Sequence, residues 1–114
     1  MKHPNIILLL TDNQRYDLMK CAGNPTVYTP NMDNPATRGV RFTNTFATTL
    51  ICVASRAGLL TGLYERSHQF TFNTPPLRSE LTDISYSALL RLAGFYTGFI
   101  GKFGIESNRK SVYS

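Results

Sequence analysis

The chain has 114 residues, 42% hydrophobic and 17% charged, a balance that suits one globular domain and excludes both a disordered segment and two ordinary domains. Its formal net charge is +5, but the 12 Lys and Arg are scattered and only Arg109 and Lys110 adjoin. No nucleic-acid surface is therefore expected, whereas an anionic small substrate suits the basic balance.

Met1-Lys2-His3-Pro4 followed by Ile6 to Leu10 faintly resembles a leader, but the apolar run has only five residues and no small-residue cleavage site follows. No export signal is expected within the chain, no stretch approaches a membrane span, and the compartment stays open. Asn5 to Leu10 reads instead as a strand buried on both faces of a parallel sheet. It ends at Thr11-Asp12-Asn13-Gln14-Arg15, and ligands in open α/β sheets bind beyond the carboxyl ends of strands. Asp12 and Asn13 offer oxygen ligands for a hard cation; equally, Asp12 could cap a turn with Asn13 solvated.

Residues 20–35 read as irregular connection, with Thr29-Pro30 as the start of a short or kinked helix that Pro35 limits and Gly39 ends. Met32 and Ala36 are expected to face inward. Val40 to Phe46 alternates like a half-buried strand. A helix then begins near Ser55, with Leu59, Leu60 and Leu63 facing a core and Gly58 and Gly62 permitting close approach. Cys52 falls at or just before its N-terminus, where partial positive charge favours an anion. On composition alone Cys52 reads as a small buried hydrophobe. Cys21 and Cys52 lie 31 positions apart with no CxxC or Cys/His pattern, which gives no zinc site and no disulfide framework. A buried free Cys21 is expected in preference to a Cys21–Cys52 bridge.

Residues 66–80, with Pro75-Pro76, read as an exposed loop in which His68 is solvated or touches a substrate. Thr82 or Ser85 caps a helix through Leu89, Leu90, Leu92 and Ala93, stopped by Gly94. Phe95 to Ile100 reads as a second buried strand, and Lys102 follows its carboxyl end between Gly101 and Gly104. Beyond Ile105 the chain turns polar, leaving an αβ pattern with few strands.

In this order, the segments Pro4 to Arg15, Thr29 to Asp33, Gly39 to Asn44, Cys52 to Tyr64, and Ala93 to Phe95 through Lys102 resemble the N-terminal part of the type I, formylglycine-dependent sulfatases of the alkaline phosphatase superfamily. The resemblance spans almost the whole chain. It implies an α/β fold, the N-terminal part of an alkaline-phosphatase-like three-layer αβα sheet, with residues 1–114 as an N-terminal segment of the catalytic domain.

The resemblance also implies the chemistry. Cys52 is the position that a formylglycine-generating or anaerobic sulfatase-maturating enzyme oxidises to 3-oxoalanine (formylglycine). One hydroxyl of the hydrated aldehyde attacks the sulfur of a sulfate ester and expels the alcohol; the second hydroxyl then loses its proton and sulfate departs as the aldehyde reforms. Asp12, Asn13 and the modified Cys52 correspond to ligands of Ca2+, with Mg2+ as the alternative cation. Arg56 steadies the nucleophile and metal carboxylates, and Lys102 contacts sulfate and nucleophile. The expected partner is a small sulfate ester or a sulfated glycan.

Three positions depart from the pattern. Asn13 replaces the usual aspartate, Ala54 replaces the proline of Cys-x-Pro-Ser-Arg, and Gly104 stands where many members have histidine. The alternatives are a phosphonate monoester or phosphodiester hydrolase of the same superfamily, or an inactive remnant acting as a binding module. Because further metal ligands come later in such chains, the isolated 114-residue chain is expected to be inactive and marginally stable.

Overall fold

The structure, a computed structural model, describes residues 3–72 and 76–107. The chain divides into two compact units, Met1–Thr45 and Phe46–Ser114.

The first unit contains a 3₁₀ turn, Lys20–Ala22, closed by Gly23 in the left-handed region (φ 93°), and helix α1, Pro30–Arg38. Proline at the first position loses no hydrogen bond, because the first N–H groups of a helix have no intrahelical partner. The short helix expected after Thr29-Pro30 is thus present, with Pro35 inside it and Gly39 at its end. Its anchor is Asp33. The carboxylate accepts the Cys21 N–H at 2.9 Å and the Thr29 hydroxyl at 3.1 Å, while the Thr29 hydroxyl accepts the Lys20 N–H at 2.9 Å. The Cys21 N–H chiefly holds the Asp33 carboxyl below its ordinary range. In return, the hydrogen bond to Asp33 pushes the Cys21 thiol up, which favours the unreactive protonated form. Both cysteines are free, and Cys21 is half-buried rather than buried.

Among its described residues the second unit holds four helices: α2 (Cys52–Thr61), α3 (Glu65–His68), α4 (Ser79–Asp83) and α5 (Tyr86–Leu92). Helix α2 forms the centre because Val53, Ala57 and Leu60 recur at helical spacing on one face. They are buried together with Phe70, Leu77, Leu81 and Ile105. Gly62 ends α2 at φ 72°, its N–H donating to the Gly58 carbonyl at 2.8 Å. Ser85 caps α5 by accepting the Ala88 N–H at 3.3 Å, and Thr82 instead belongs to α4. The Leu77 N–H donates to the Glu106 carbonyl at 2.7 Å beside a parallel bridge between Leu77 and Ser107.

Several expectations are corrected. Among the described residues there is no strand beyond that single bridge, so the three strands expected at 5–10, 40–46 and 95–100 are not formed. Leu9 is 87% exposed and Ile100 fully so, and Phe42 and Phe46 are also exposed. A parallel strand exists only where a neighbour pairs with its backbone and helices cover its faces. Neither unit supplies that cover among the described residues, so the apolar runs form no strand and most of their side chains stay exposed.

Helix α2 starts at Cys52, not Ser55; of its leucines Leu60 is buried and Leu59 is exposed, while Leu63, just past its end, is half-buried. Met32 is exposed on α1 rather than facing inward. The expected loop at 66–80 contains α3, buried His68 and buried Leu77. Pro75 lies outside the described residues, as do Arg109 and Lys110.

Candidate active site

Cys52 is the first residue of α2, half-buried and packed against the core. The N–H groups of this first turn have no intrahelical acceptor, so the helix presents partial positive charge at the residue expected to carry the nucleophile. Arg56 lies one turn further along. Its Nη1 donates to the main-chain carbonyl of Lys102 at 2.8 Å. The second unit therefore brings α2 and the Lys102 loop together across 46 positions of sequence.

The loop is shaped for that contact. Gly101 and Gly104 have φ 113° and 68°, a region that side chains with a Cβ rarely adopt. A Cβ on Gly104 would stand 3.5 Å from Val53 Cγ1, so the glycine backbone runs along the first turn of α2. Phe103, between them, packs on the core and meets Phe99 edge-to-face, with ring centroids 5.3 Å apart. Gly104 thus has a structural reason: any residue with a Cβ, histidine included, would be strained here.

Ala54 is fully buried in the first turn of α2, and the first intrahelical bond runs from the Ser55 N–H to the Ile51 carbonyl at 2.8 Å. Alanine and proline are equivalent there in one respect: neither loses an intrahelical hydrogen bond.

Asp12 and Asn13 lie in the first unit, exposed on a bend, and Asn13 adopts φ 53°. Asparagine tolerates that left-handed geometry better than most residues. A carboxylate beside an amide carbonyl fits calcium or magnesium in kind. It does not fit in number, because calcium takes about 6–8 oxygens. Among the described residues, no three His, Cys, Asp or Glu converge on a common point.

His68 was expected in solvent and is instead 2% exposed. Its Nδ1 accepts the Phe70 N–H at 3.1 Å, so the neutral ring carries its proton on Nε2. Among the described residues Nε2 has no hydrogen-bond partner, although it faces α2, 3.9 Å from where a Cβ on Gly58 would stand. Burial pulls the His68 pKa down; Glu65 and, more weakly, the Ala54 carbonyl act the other way. The alternation of His68 with buried Phe70 was the only sequence signal for this burial, and it is a weak one.

Comparison with known proteins decides the family. A model of the sulfatase family matches residues 4–114. The chain belongs to the sulfatase family. It is 37% identical to an N-acetylglucosamine-6-O-sulfatase of Bacteroides thetaiotaomicron over 93% of its own length and 19% of that protein. It is 35% identical to an ulvan-active sulfatase of Formosa agariphila over 97% of its length, and 34% identical to human steryl-sulfatase over 96%. This sulfatase chain spans about a fifth of the length of the curated relatives it matches. Family membership implies the α/β class, while the sheet itself is not formed among the described residues.

Proposed function

We propose that the chain is the N-terminal segment of a sulfatase catalytic domain and contributes the nucleophile-bearing part of a site for sulfate ester hydrolysis. Three features of the described chain support this reading together. Cys52 opens α2, Arg56 follows one turn later, and the guanidinium of Arg56 holds the carbonyl of Lys102. A sulfate ester carries negative charge that grows on the oxygens around sulfur as the bond to the alcohol breaks. Fixed positive charge and N–H dipoles at the head of α2 lower the energy of that charge without reorganising.

Each residue then has a role. Cys52, converted to formylglycine by a formylglycine-generating or anaerobic maturating enzyme, supplies the attacking hydroxyl as a hydrated aldehyde. Lys102 offers its ammonium to the sulfate oxygens as a compact charge. Arg56 keeps the loop of Lys102 against the helix that carries Cys52. Asp12 and Asn13 contribute two of the oxygen ligands of calcium, with magnesium as the alternative, and the cation would offset charge on the sulfate oxygens. Because Asn13 brings no charge, the site binds its cation less tightly than an Asp-Asp pair would. The substrates proposed are small sulfate esters or sulfated glycans, in line with the N-acetylglucosamine-6-O-sulfatase and the ulvan-active sulfatase that the chain resembles.

The test is hydrolysis by the full-length protein, co-expressed with a maturation enzyme, of matched aryl sulfate, phosphonate monoester and phosphodiester substrates. Preferential sulfate release supports the proposal. Preference for a phosphorus ester moves the assignment to the phosphonate and phosphodiester hydrolases. An unmodified thiol at Cys52 after maturation removes the proposed nucleophile and favours a binding module.

A further inference from the structure

The geometry points to Arg56 as a positioning residue: it sets where the Lys102 ammonium can reach by clamping the main chain of the 101–104 loop to α2, not by touching the ester itself. This inference rests on the proposed sulfatase site and adds a division of labour between its two basic side chains.

Three contacts carry it. The Arg56 Nη1 donates to the Lys102 carbonyl at 2.8 Å, so it grips the backbone at the very residue whose side chain is needed. One residue on, Phe103 is seated on the core beside Phe99. Two residues on, Gly104 runs against Val53, the second residue of α2, close enough that an added Cβ would lie 3.5 Å from Cγ1. The loop is therefore fastened to α2 and the core from the Lys102 carbonyl through Gly104, directly after the residue whose side chain is needed.

Nothing intrinsic to the loop would hold it so. Gly101 and Gly104 both sit at positive φ, and glycine gives the backbone access to many other conformations. The Lys102 side chain is exposed, and a flexible four-carbon stem carries no directional preference of its own. Its reach is fixed by where its Cα is held. A guanidinium suits that task because it is always charged, and hydrogen bonds from charged donors are stronger than neutral ones. Arg56 itself is half-buried on a regular helix, one turn from Cys52, so its base moves little. The clamp therefore refers the position of Lys102 to the same helix that positions the nucleophile. A shift of about 1 Å between such groups can cost roughly 100-fold in rate.

The test uses full-length, matured protein and the variants Arg56→Ala, Arg56→Lys, Lys102→Ala and the double variant Arg56→Ala/Lys102→Ala. Lys102→Ala is expected to lower kcat/KM about 100-fold or more through loss of fixed charge. Arg56→Ala should lower it by a similar factor. If Arg56 acts through Lys102, the double variant should fall no more than about threefold below Lys102→Ala, which is a strong departure from additivity. Arg56→Lys keeps the charge but shortens the reach, and should recover only a small part of the loss.

A second readout needs no turnover. Amide hydrogen exchange in the peptide containing Phe103 and Gly104 should quicken in Arg56→Ala and Arg56→Lys but not in Lys102→Ala. Thermal melting identifies any variant that has simply unfolded, and Arg56→Lys serves if Arg56→Ala does so. Losses that multiply in the double variant, or exchange unchanged by both Arg56 substitutions, overturn the clamp. If the matured protein hydrolyses neither sulfate nor phosphorus esters, the sulfatase reading fails and the exchange measurement alone decides the clamp.

Discussion

Replacing Leu77 by alanine tests where the core of this chain lies. Leu77 is 1% exposed, the largest fully buried apolar side chain among the described residues, and packs with Val53, Ala57 and Leu60 of α2. The change removes three buried carbons, and at about 0.8 kcal/mol for each the transfer cost is ~2.4 kcal/mol. The cavity left behind raises that towards the upper part of the ~2–5 kcal/mol range for buried leucines unless the small core collapses into it. The matched control is Leu9→Ala. Leu9 belongs to the most apolar run of the sequence but is 87% exposed, so its truncation should stay within about 0.5 kcal/mol of wild type. Urea denaturation of the 114-residue chain, followed by circular dichroism, should show the Leu77→Ala midpoint lowered by roughly 1–2 M and the Leu9→Ala midpoint unmoved. Equal losses for the two variants would refute the assignment of the core to the second unit. So would a Leu77→Ala chain as stable as wild type.

Acidification should destabilise the second unit through His68. Its folded pKa is depressed by burial, so the unfolded state binds the proton more readily. Stability is then full above the unfolded value of about 6.5 and is lost as pH falls from there through the folded value. Urea midpoints between pH 7.5 and pH 5 should decline in wild type and decline less in His68→Leu; equal slopes would remove His68 as the cause. Gly104→His should cost about 1–3 kcal/mol, because the left-handed conformation at φ 68° strains any residue with a Cβ, and thermal melting would read it. Cys52→Ala should abolish turnover in the full-length protein with little shift in its melting temperature, since alanine carries no sulfur or oxygen on Cβ from which the aldehyde could be made. Asp12→Ala should weaken calcium binding to the full-length protein at least tenfold by isothermal titration, and unchanged affinity would remove Asp12 from the ligand set.

Much of the local structure was legible in the chain. Thr29-Pro30 started a helix that Gly39 ended, Ser85 capped another that Gly94 closed, and Cys52 fell at a helix N-terminus. Each of these depends on backbone groups within a few residues, which a linear sequence specifies directly. The strands were read from apolar runs that are real, but a run records only a need for cover. Whether Ile6 to Leu10 or Phe95 to Ile100 becomes a strand depends on which neighbours pair with it, and no short window of sequence contains them.

The sequence by itself determined the family, through five motifs in order, and with it the chemistry proposed for Cys52, Lys102, Asp12 and Asn13. Only the tertiary structure decided how two of these parts meet. It bound Arg56 to the carbonyl of Lys102 and set Gly104 at φ 68°, where a histidine backbone would be strained. It also drew His68 out of an apparent loop into the core against α2. The physical reason is common to all three. A side-chain hydrogen bond to a main-chain carbonyl 46 residues away, a φ angle and a burial each depend on how distant segments pack, whereas residue identity depends on the chain alone.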